Sequence, residues 1–308
     1  MILICGIPSE SPIAAVIDRL ETAGSPYAVF NQREVANCDL RWTVNGGRIE
    51  GALNLEGTHY PLSSFTGVYI RLMDDRLLPE LEDEPPGSPL LQASRSFHEA
   101  LIGWIDLAPG RVVNRFRHMG SNGSKPYQAQ YIRRAGFGIP ETLVTNDPLQ
   151  ARAFATLHKR VVYKSLSGVR SIVAEMTSAD WDRIKAIQAC PVQFQAYVPG
   201  YDVRIHTIGH DVFATRIDSP GTDYRYAGHG DDGTHLYPYD LPNALARRCQ
   251  QLARNLKLDF AGIDLRITPD GDVVCFEVNP SPAYSYYEAH TGQPISLAVA
   301  NYLGDRVS

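Results

Sequence analysis

Apolar and polar positions along this chain repeat with two periods, and the switches between them mark its elements. Ile2 to Ile7 is a short apolar run bounded by Ser9, Ser11 and Pro12, which predicts a strand; helical spacing then continues to Ala23, where Gly24 stops it. Tyr27 to Phe30 and Gly67 to Arg71 read as further strands, and Trp42 to Ile49 as a hairpin around Asn45-Gly46. After the breaker cluster Asp83 to Pro89, helical spacing runs from Leu90 to Leu107 and ends at Pro109-Gly110. The first 110 residues therefore predict one α/β unit.

A second section opens at Val112-Val113-Asn114. Ser124 is placed as the N-cap of a helix with Pro126 in its first turn and Gly136 at its end. Lys125 thus falls at a helix N-terminus, where the dipole opposes a cation; either an anion sits beside it or the lysine is solvated. Glu141 to Thr145 reads as a strand and Pro148 to His158 as a helix. Val161 to Lys164 reads as a strand opening into Ser165-Leu-Ser167-Gly168-Val-Arg-Ser171. A strand-end lysine beside a loop of small residues suits phosphate. Leu245, Cys249, Leu252 and Leu256 recur at helical spacing and predict a core stripe.

Near the C-terminus, two alternating runs flank Pro269-Asp-Gly-Asp272, a strong hairpin signal. Centring the turn on Asp270-Gly271 sets Asp264 opposite Glu277, with Asn279 on the same face. Ile263, Leu265, Ile267, Val274, Phe276 and Val278 then fall on the core face. Opposed carboxylates ~5 Å apart repel by on the order of 3 kcal/mol at an effective dielectric of about 20. A hard divalent cation such as Mg²⁺ would relieve this; a protonated carboxyl or a salt bridge to Arg266 would also.

Asp202 to Asp218 predicts another hairpin. A three-residue loop, Gly209 to Asp211, gathers Val203, Ile205, Phe213 and Ile217 on one face and sets Arg204 opposite Arg216; a two-residue turn would split that apolar set. Two opposed guanidiniums suit phosphate or carboxylate, with solvated arginines as the alternative. The two hairpins together predict a cation site and an anion site on one sheet, which is what a magnesium nucleoside triphosphate requires.

Length and composition narrow the class. At roughly 150 residues per domain, 308 residues give about two domains, and 44% hydrophobic with 20% charged residues is ordinary for a folded chain. The net charge of −5 argues against coating nucleic acid or an anionic membrane. Five scattered cysteines make a disulfide framework or zinc ribbon improbable, and no apolar run or signal segment is evident, so the expected setting is cytoplasmic. No P-loop, H-E-x-x-H or G-x-S-x-G motif is present. Gly228 to Gly233 fits G-x-G-x-x-G, but it follows no clear strand and carries two acids where pyrophosphate would sit.

The ordered series Asn114, Ser124-Lys125, Ile139 to Asp147, Val161 to Lys164 with its loop, Gln195-Ala-Tyr-Val-Pro199, Tyr201-Asp-Val-Arg204, Arg216, Gly262-Ile-Asp264 and Glu277-Val-Asn-Pro280 resembles the ATP-grasp superfamily. It is most similar to the RimK-like branch that includes microviridin-type (graspetide) peptide maturases. The resemblance implies an α/β N-terminal domain (1–110) and two α+β lobes (111–192 and 193–308), with nucleotide between the lobes. It further implies that Lys125 and Lys164 hold ATP phosphates, helped by Ser165, Ser167 and Gly168. Gln195, Ala196, Tyr197 and Val198 would meet adenine, and Asp264, Glu277 and Asn279 would carry Mg²⁺. Arg204 and Arg216 would steady the transferred phosphoryl group. Related hinges often read Gln-Glu where this chain has Gln195-Ala196, and Asp202 is the residue placed to compensate. His206 has two readings, deprotonation of the incoming nucleophile or hydrogen bonding within the sheet.

The implied activity is ATP-dependent ligation of a carboxylate to an amine or hydroxyl through an acyl phosphate. A peptide is the preferred substrate and a small carboxylic acid the other, with room for a homo-oligomer and no role for nucleic acid or membrane. A small-molecule kinase and a nucleotide-binding regulatory module are the alternatives. Trp42, Tyr69 and Arg71 are read chiefly as packing residues, with shaping of the acceptor site as their second role.

Overall fold

The computed structural model describes residues 1–166, 173–219 and 233–304. Its N-terminal unit holds β1 (Ile2–Gly6), α1 (Ser11–Thr22), β2 (Tyr27–Asn31), β3 (Cys38–Asn45), β4 (Arg48–Leu55), β5 (Thr58–Pro61), β6 (Gly67–Arg71), α2 (Pro79–Glu82), α3 (Pro89–Ile105) and β7 (Arg111–Val113). Four strands form a parallel sheet in the order β2-β1-β6-β7. Every residue of β1 is buried because both faces of the sheet are covered. Ile2 and Ile4 pack with Ile13, Val16 and Leu20 of α1, whereas Leu3 and Cys5 pack with Leu101, Trp104 and Ile105 of α3. The helices thus lie on opposite faces. Antiparallel β3-β4-β5 adds Leu53 and Leu55 to the α3 side. Its first hairpin turns at Gly46-Gly47, one residue beyond the Asn45-Gly46 expected, with both glycines at positive φ (56° and 81°).

The following section comprises α4 (Phe116–Met119), α5 (Lys125–Arg134), β8 (Thr142–Thr145), α6 (Pro148–His158), β9 (Val161–Lys164), β10 (Ala174–Glu175), α7 (Ser178–Asp182) and β11 (Val192–Ala196). The order β10-β9-β11-β8 makes an antiparallel sheet. Leu143, Tyr163 and Phe194 pack against α6 on one face, leaving Thr142, Val144, Lys164, Gln193 and Gln195 to line a cleft on the other. Asp147 fixes the start of α6 by accepting from Leu149 N at 2.8 Å.

The last section contains β12 (Tyr201–Ile208), β13 (Asp211–Asp218), β14 (His235–Pro238), α8 (Asn243–Asn255), β15 (Phe260–Ile267), β16 (Val273–Asn279), α9 (Ser285–Thr291) and α10 (Ile295–Gly304). Its antiparallel sheet runs β14-β13-β12-β15-β16. The stripe Leu245, Cys249 and Leu252 of α8 covers one face. The open edge of β16 is closed by main-chain mimicry: Gln128 donates to Val278 O at 2.7 Å and accepts from Val278 N at 2.8 Å.

Two sheet boundaries differ from the sequence expectation. Strand β7 (111–113) belongs to the N-terminal sheet, and β11 (192–196) joins the central sheet, because each finds its hydrogen-bonding partner there. Buried Asn114 then stitches the units together. Its amide donates to Phe260 O and Pro280 O, both at 2.6 Å, and its carbonyl accepts from Asp259 N and Phe260 N. All five cysteines are free. Among the described residues no helix is long and apolar enough to cross a membrane.

Candidate active site

Alternation along β12, β15 and β16 places Arg204, His206, Asp264 and Glu277 on the sheet face opposite α8. Asp264 pairs with Glu277 across the strands, the expected pair, although not through the expected two-residue turn, and Asn279 stands beside them opposite Gly262. The like charges are balanced by the protein itself. Arg204 Nη1 donates to Asp264 Oδ1 at 2.6 Å, and Lys125 Nζ donates to Glu277 Oε2 at 2.7 Å and to Asn122 Oδ1 at 3.0 Å. The anion expected beside Lys125 is therefore Glu277. Arg204 is buried, so its charge is retained through this pairing.

The register of this hairpin shifts by one between Asp264 and Leu265. Toward the turn Leu265 pairs with Cys275 and Ile267 with Val273, and Thr268 N closes the loop onto Asp272 O at 2.9 Å. The bulge corrects the predicted core face: Cys275 and Val273 pack under α8, while Phe276 lines the cleft and Val274 meets Gly138. Phe276 also lies 5.2 Å from the Arg266 guanidinium. That guanidinium does not bridge the paired acids; it makes two 2.8 Å bonds to Asp202 and one of 2.9 Å to Val198 O. Asp202 is thus committed to Arg266, not placed to replace a hinge carboxylate.

The β12-β13 register overturns the predicted Arg204-Arg216 opposition. The turn is the two-residue Gly209-His210, and Arg204 pairs with Thr215 while Arg216 pairs with Val203. Arg216 consequently projects on the opposite face from Arg204, bonds Asp218 Oδ1 at 2.8 Å, and lies 4.2 Å from the Tyr201 ring centre. The apolar set is indeed split across both faces. The sheet tolerates this because Phe213 and Ile217 pack in the layer that includes α9 and α10, while Val203, Ile205 and Ala214 pack under α8.

His206 is fully buried, 5.0 Å from Tyr287 in an edge-on contact, and its Nε2 lies 3.5 Å from Arg204 Nε. Burial, reinforced by Arg204, holds its imidazole well below the usual histidine range. It is a neutral acceptor against the arginine, which favours the sheet-bonding reading over a proton shuttle.

A cleft of about 350 Å³ adjoins this face, lined by Lys125, Arg133, Lys164, Gln193, Gln195 and Phe276 among others. Two lysines, one from the central sheet and one from the start of α5, thus share one cavity. Gln195 donates to Thr142 Oγ1 at 3.0 Å. Beyond it, Ala196 is bonded to Glu141 O and Tyr197 to Arg160 O, so the connection to β12 is held through main-chain bonds. Ser165 follows Lys164 on the surface; Ser167 and Gly168, like most of the 228–233 motif, lie outside the described residues. Sequence reasoning overlooked Asn122 and the Asp202-Arg266 pair. The second had a signal, since Arg266 shares a face with Asp264 two residues away.

Paired carboxylates and an amide oxygen form a hard donor set suited to Mg²⁺, which completes its shell with water and phosphate. Asn279 Oδ1 accepts from Ser281 N at 2.9 Å and retains a second lone pair. Among the described residues no three His, Cys, Asp or Glu side chains form a metal-binding group.

An antiparallel sheet carrying opposed acids, facing a lysine-lined cleft against a second sheet, is the architecture of an ATP-grasp protein. The RimK-like ATP-grasp domain model matches residues 124–303, and the chain belongs to that family. Its fold is similar to that of the macrocyclase MdnC bound with precursor peptide MdnA from Microcystis aeruginosa MRC, at 24% identity over 98% of this chain and 99% of that one, with a TM-score of 0.79. A Chryseobacterium gregarium RiPP-associated ATP-grasp ligase in complex with ADP and a leader and core peptide matches at 23% identity over 100% and 99%, with a TM-score of 0.83. The ATP-grasp ligase PsnB, complexed with a precursor variant, Mg and ADP, matches at 22% identity over 98% and 97%, with a TM-score of 0.77. No curated protein sequence matches the chain.

Proposed function

We propose that this protein is an ATP-dependent ligase that activates a carboxylate of a peptide and joins it to an amine or hydroxyl. The observation that carries the reading is the meeting of Asp264, Glu277, Lys125 and Arg204 on one face beside a cleft that also holds Lys164. Family membership supplies the nucleotide, and the peptides and ADP bound by the similar structures agree with it.

In this reading Lys125 and Lys164 bind the phosphates and Gln195 to Val198 meet the base. Mg²⁺ held by Asp264, Glu277 and Asn279 would supply charge neutralisation on the triphosphate. When nucleotide enters, phosphate oxygens replace Glu277 as the partner of Lys125, freeing that carboxylate. Arg204, fixed between Asp264 and His206, presents its charge to the transferring phosphoryl group; Arg216, on the other face, takes no part. A substrate carboxylate oxygen attacks the γ-phosphorus and ADP leaves with the P–O electron pair. The acceptor heteroatom then attacks the acyl carbon, the C–O bond breaks, and phosphate departs. Positioning and charge stabilisation carry both steps, so no covalent nucleophile is required.

The test is mass spectrometry of peptides encoded beside the gene, incubated with enzyme, ATP and Mg²⁺. Loss of one water per bond formed, with ADP and free phosphate released, is the expected result. Glu277→Gln and Lys164→Met should each abolish turnover without changing the unfolding midpoint. Phosphate retained on the product would replace the ligase with a kinase, and wild-type ATP consumption in both variants would remove the site assignment.

A further inference from the structure

The bulge in β15-β16 decides which way the proposed metal ligands point. On the turn side of it Leu265 pairs with Cys275 and Ile267 with Val273; beyond Phe276, Asp264 pairs with Glu277 and Ile263 with Val278. Continued without the bulge, the first register would set Asp264 opposite Phe276 and Glu277 opposite Ile263. Ile263 packs in the core beneath α8, so Glu277 would then turn into that core, away from Asp264. The acids meet only while the extra residue stays on the turn side of Glu277.

Gln128 holds it there. Its side chain takes both main-chain groups of Val278, donating to the carbonyl at 2.7 Å and accepting from the amide at 2.8 Å. Val278 lies between Glu277 and Asn279, so a grip on its two main-chain groups keeps both neighbours on the face of Asp264. Gln128 is 1% exposed, and losing its bonds strips partners from two buried main-chain groups. The same helix carries Lys125 one turn earlier, bonded to Glu277, and Ile132 one turn later, in the core beneath α8. Helix α5 thus sets a phosphate-binding lysine and the acid-bearing strand in one frame.

We infer that Gln128 is a positioning residue for the metal site: it locks the β16 register that presents Glu277 and Asn279 and, through α5, couples Mg²⁺ binding to nucleotide binding. The inference rests on the ligase reading and gives Gln128 no contact with substrate. Lys125 meets the phosphates from the helix, the acids meet the ion from the strand, and the Gln128-Val278 pair spaces the two. Its loss therefore acts on the coupling between ion and nucleotide, which is reciprocal and is read from the nucleotide alone.

Isothermal titration calorimetry of ADP into the full chain, with and without Mg²⁺, tests this. Gln128→Met removes both bonds at similar volume; Gln128→Ala removes them and leaves room for water to take up the two main-chain groups. Gln32→Met is the matched control. Gln32 is 4% exposed and makes the same pair of bonds within the N-terminal unit, donating to Met73 O at 2.6 Å and accepting from Met73 N at 2.8 Å. Mg²⁺ should tighten ADP binding equally in wild type and Gln32→Met. The tightening should shrink by about 10–100-fold in both Gln128 variants, the scale for losing a group that orients metal ligands, while metal-free ADP affinity stays within about threefold of wild type. Undiminished tightening in a folded Gln128 variant overturns the role and leaves the ligase reading intact. An equal loss in Gln32→Met, or a matching fall in metal-free affinity, also overturns it, tracing the effect to general loosening or to Lys125. A wild-type chain that binds ADP without responding to Mg²⁺ removes the metal site and Gln128 with it; one that binds no ADP removes the ligase reading itself.

Discussion

The hairpins β15-β16 and β12-β13 lie side by side in one sheet, and each carries charge, yet they handle it differently. In β15-β16 the two acids face one another on a single surface, and a bulge next to them turns Phe276 toward the cleft while Cys275 goes under α8. The β12-β13 hairpin is regular, turns on two residues, and separates its arginines onto opposite faces. Like charges are gathered in β15-β16, where Arg204 and Lys125 neutralise them, and separated onto opposite faces in β12-β13. A local irregularity in one strand pair thus turns Phe276 toward the cleft, and the regularity of the other keeps Arg216 off the face that carries Arg204.

The largest expected effect tests that division. Arg204→Gln removes the partner of Asp264 and the charge proposed to meet the transferring phosphoryl group; kcat should fall by about 10²–10³, the scale for loss of one preorganised charge-stabilising donor. Arg216→Gln removes a bond to Asp218 on the other face and should change kcat by no more than about threefold, the scale of a surface substitution near 0.5 kcal/mol. Steady-state ATP hydrolysis coupled to product formation measures both. Equal losses would mean that the two guanidiniums act together and that the register described here does not persist during turnover.

A smaller contrast uses two glycines of β15-β16. A β-carbon at Gly262 would collide with the Arg204 guanidinium and with Pro282, so Gly262→Ala should displace Arg204 and lower kcat by about tenfold or more, below the cost of deleting the arginine. Gly271 has open space around it but sits at φ +86°; Gly271→Ala should cost ~1 kcal/mol of stability and leave kcat unchanged. Urea unfolding and turnover assays on both variants separate the effects. An active Gly262→Ala would show that Arg204 can be moved without penalty.

The same contrast shows how much the sequence discloses. The hairpin was legible from Pro269-Asp-Gly-Asp272 and the helical stripe of α8 from spacing alone, but the turn expected at Asp270-Gly271 is one residue out of register, and Asp264 meets Glu277 because the bulge makes up that residue. The bulge was not, since Val274, Phe276 and Val278 alternate perfectly and only tertiary contacts decide that Cys275 is the core residue. The Arg204-Arg216 opposition failed for a related reason: apolar residues on one face imply a half-buried strand, whereas β13 is buried from both sides. Lys125 was placed correctly at the helix start, but a chain alone does not show that Glu277, 152 positions away, is its partner. Arg71 was read mainly as packing, and its bonds to Glu10 and Ser281 emerge only when two distant loops meet.

The smallest expected effect concerns His206, the buried residue that links the two hairpins through Arg204. Its imidazole is held well below the usual value of 6.5, chiefly by burial, so the folded chain keeps it neutral where the unfolded chain takes up a proton. The unfolded state therefore binds more protons below pH 6.5, and the stabilising contribution is complete above that pH and is lost as pH falls. The slope is at most about 1.4 kcal/mol per pH unit. His206→Gln keeps an acceptor for Arg204 but has no ionisation, so the stability of wild type relative to the variant should decline by about 1.4 kcal/mol between pH 7.5 and 5.5. Urea denaturation at those two pH values measures the difference. A difference that stays constant would mean that the imidazole retains an ordinary affinity for protons in the fold, and that Arg204 faces a titrating partner rather than a fixed neutral one.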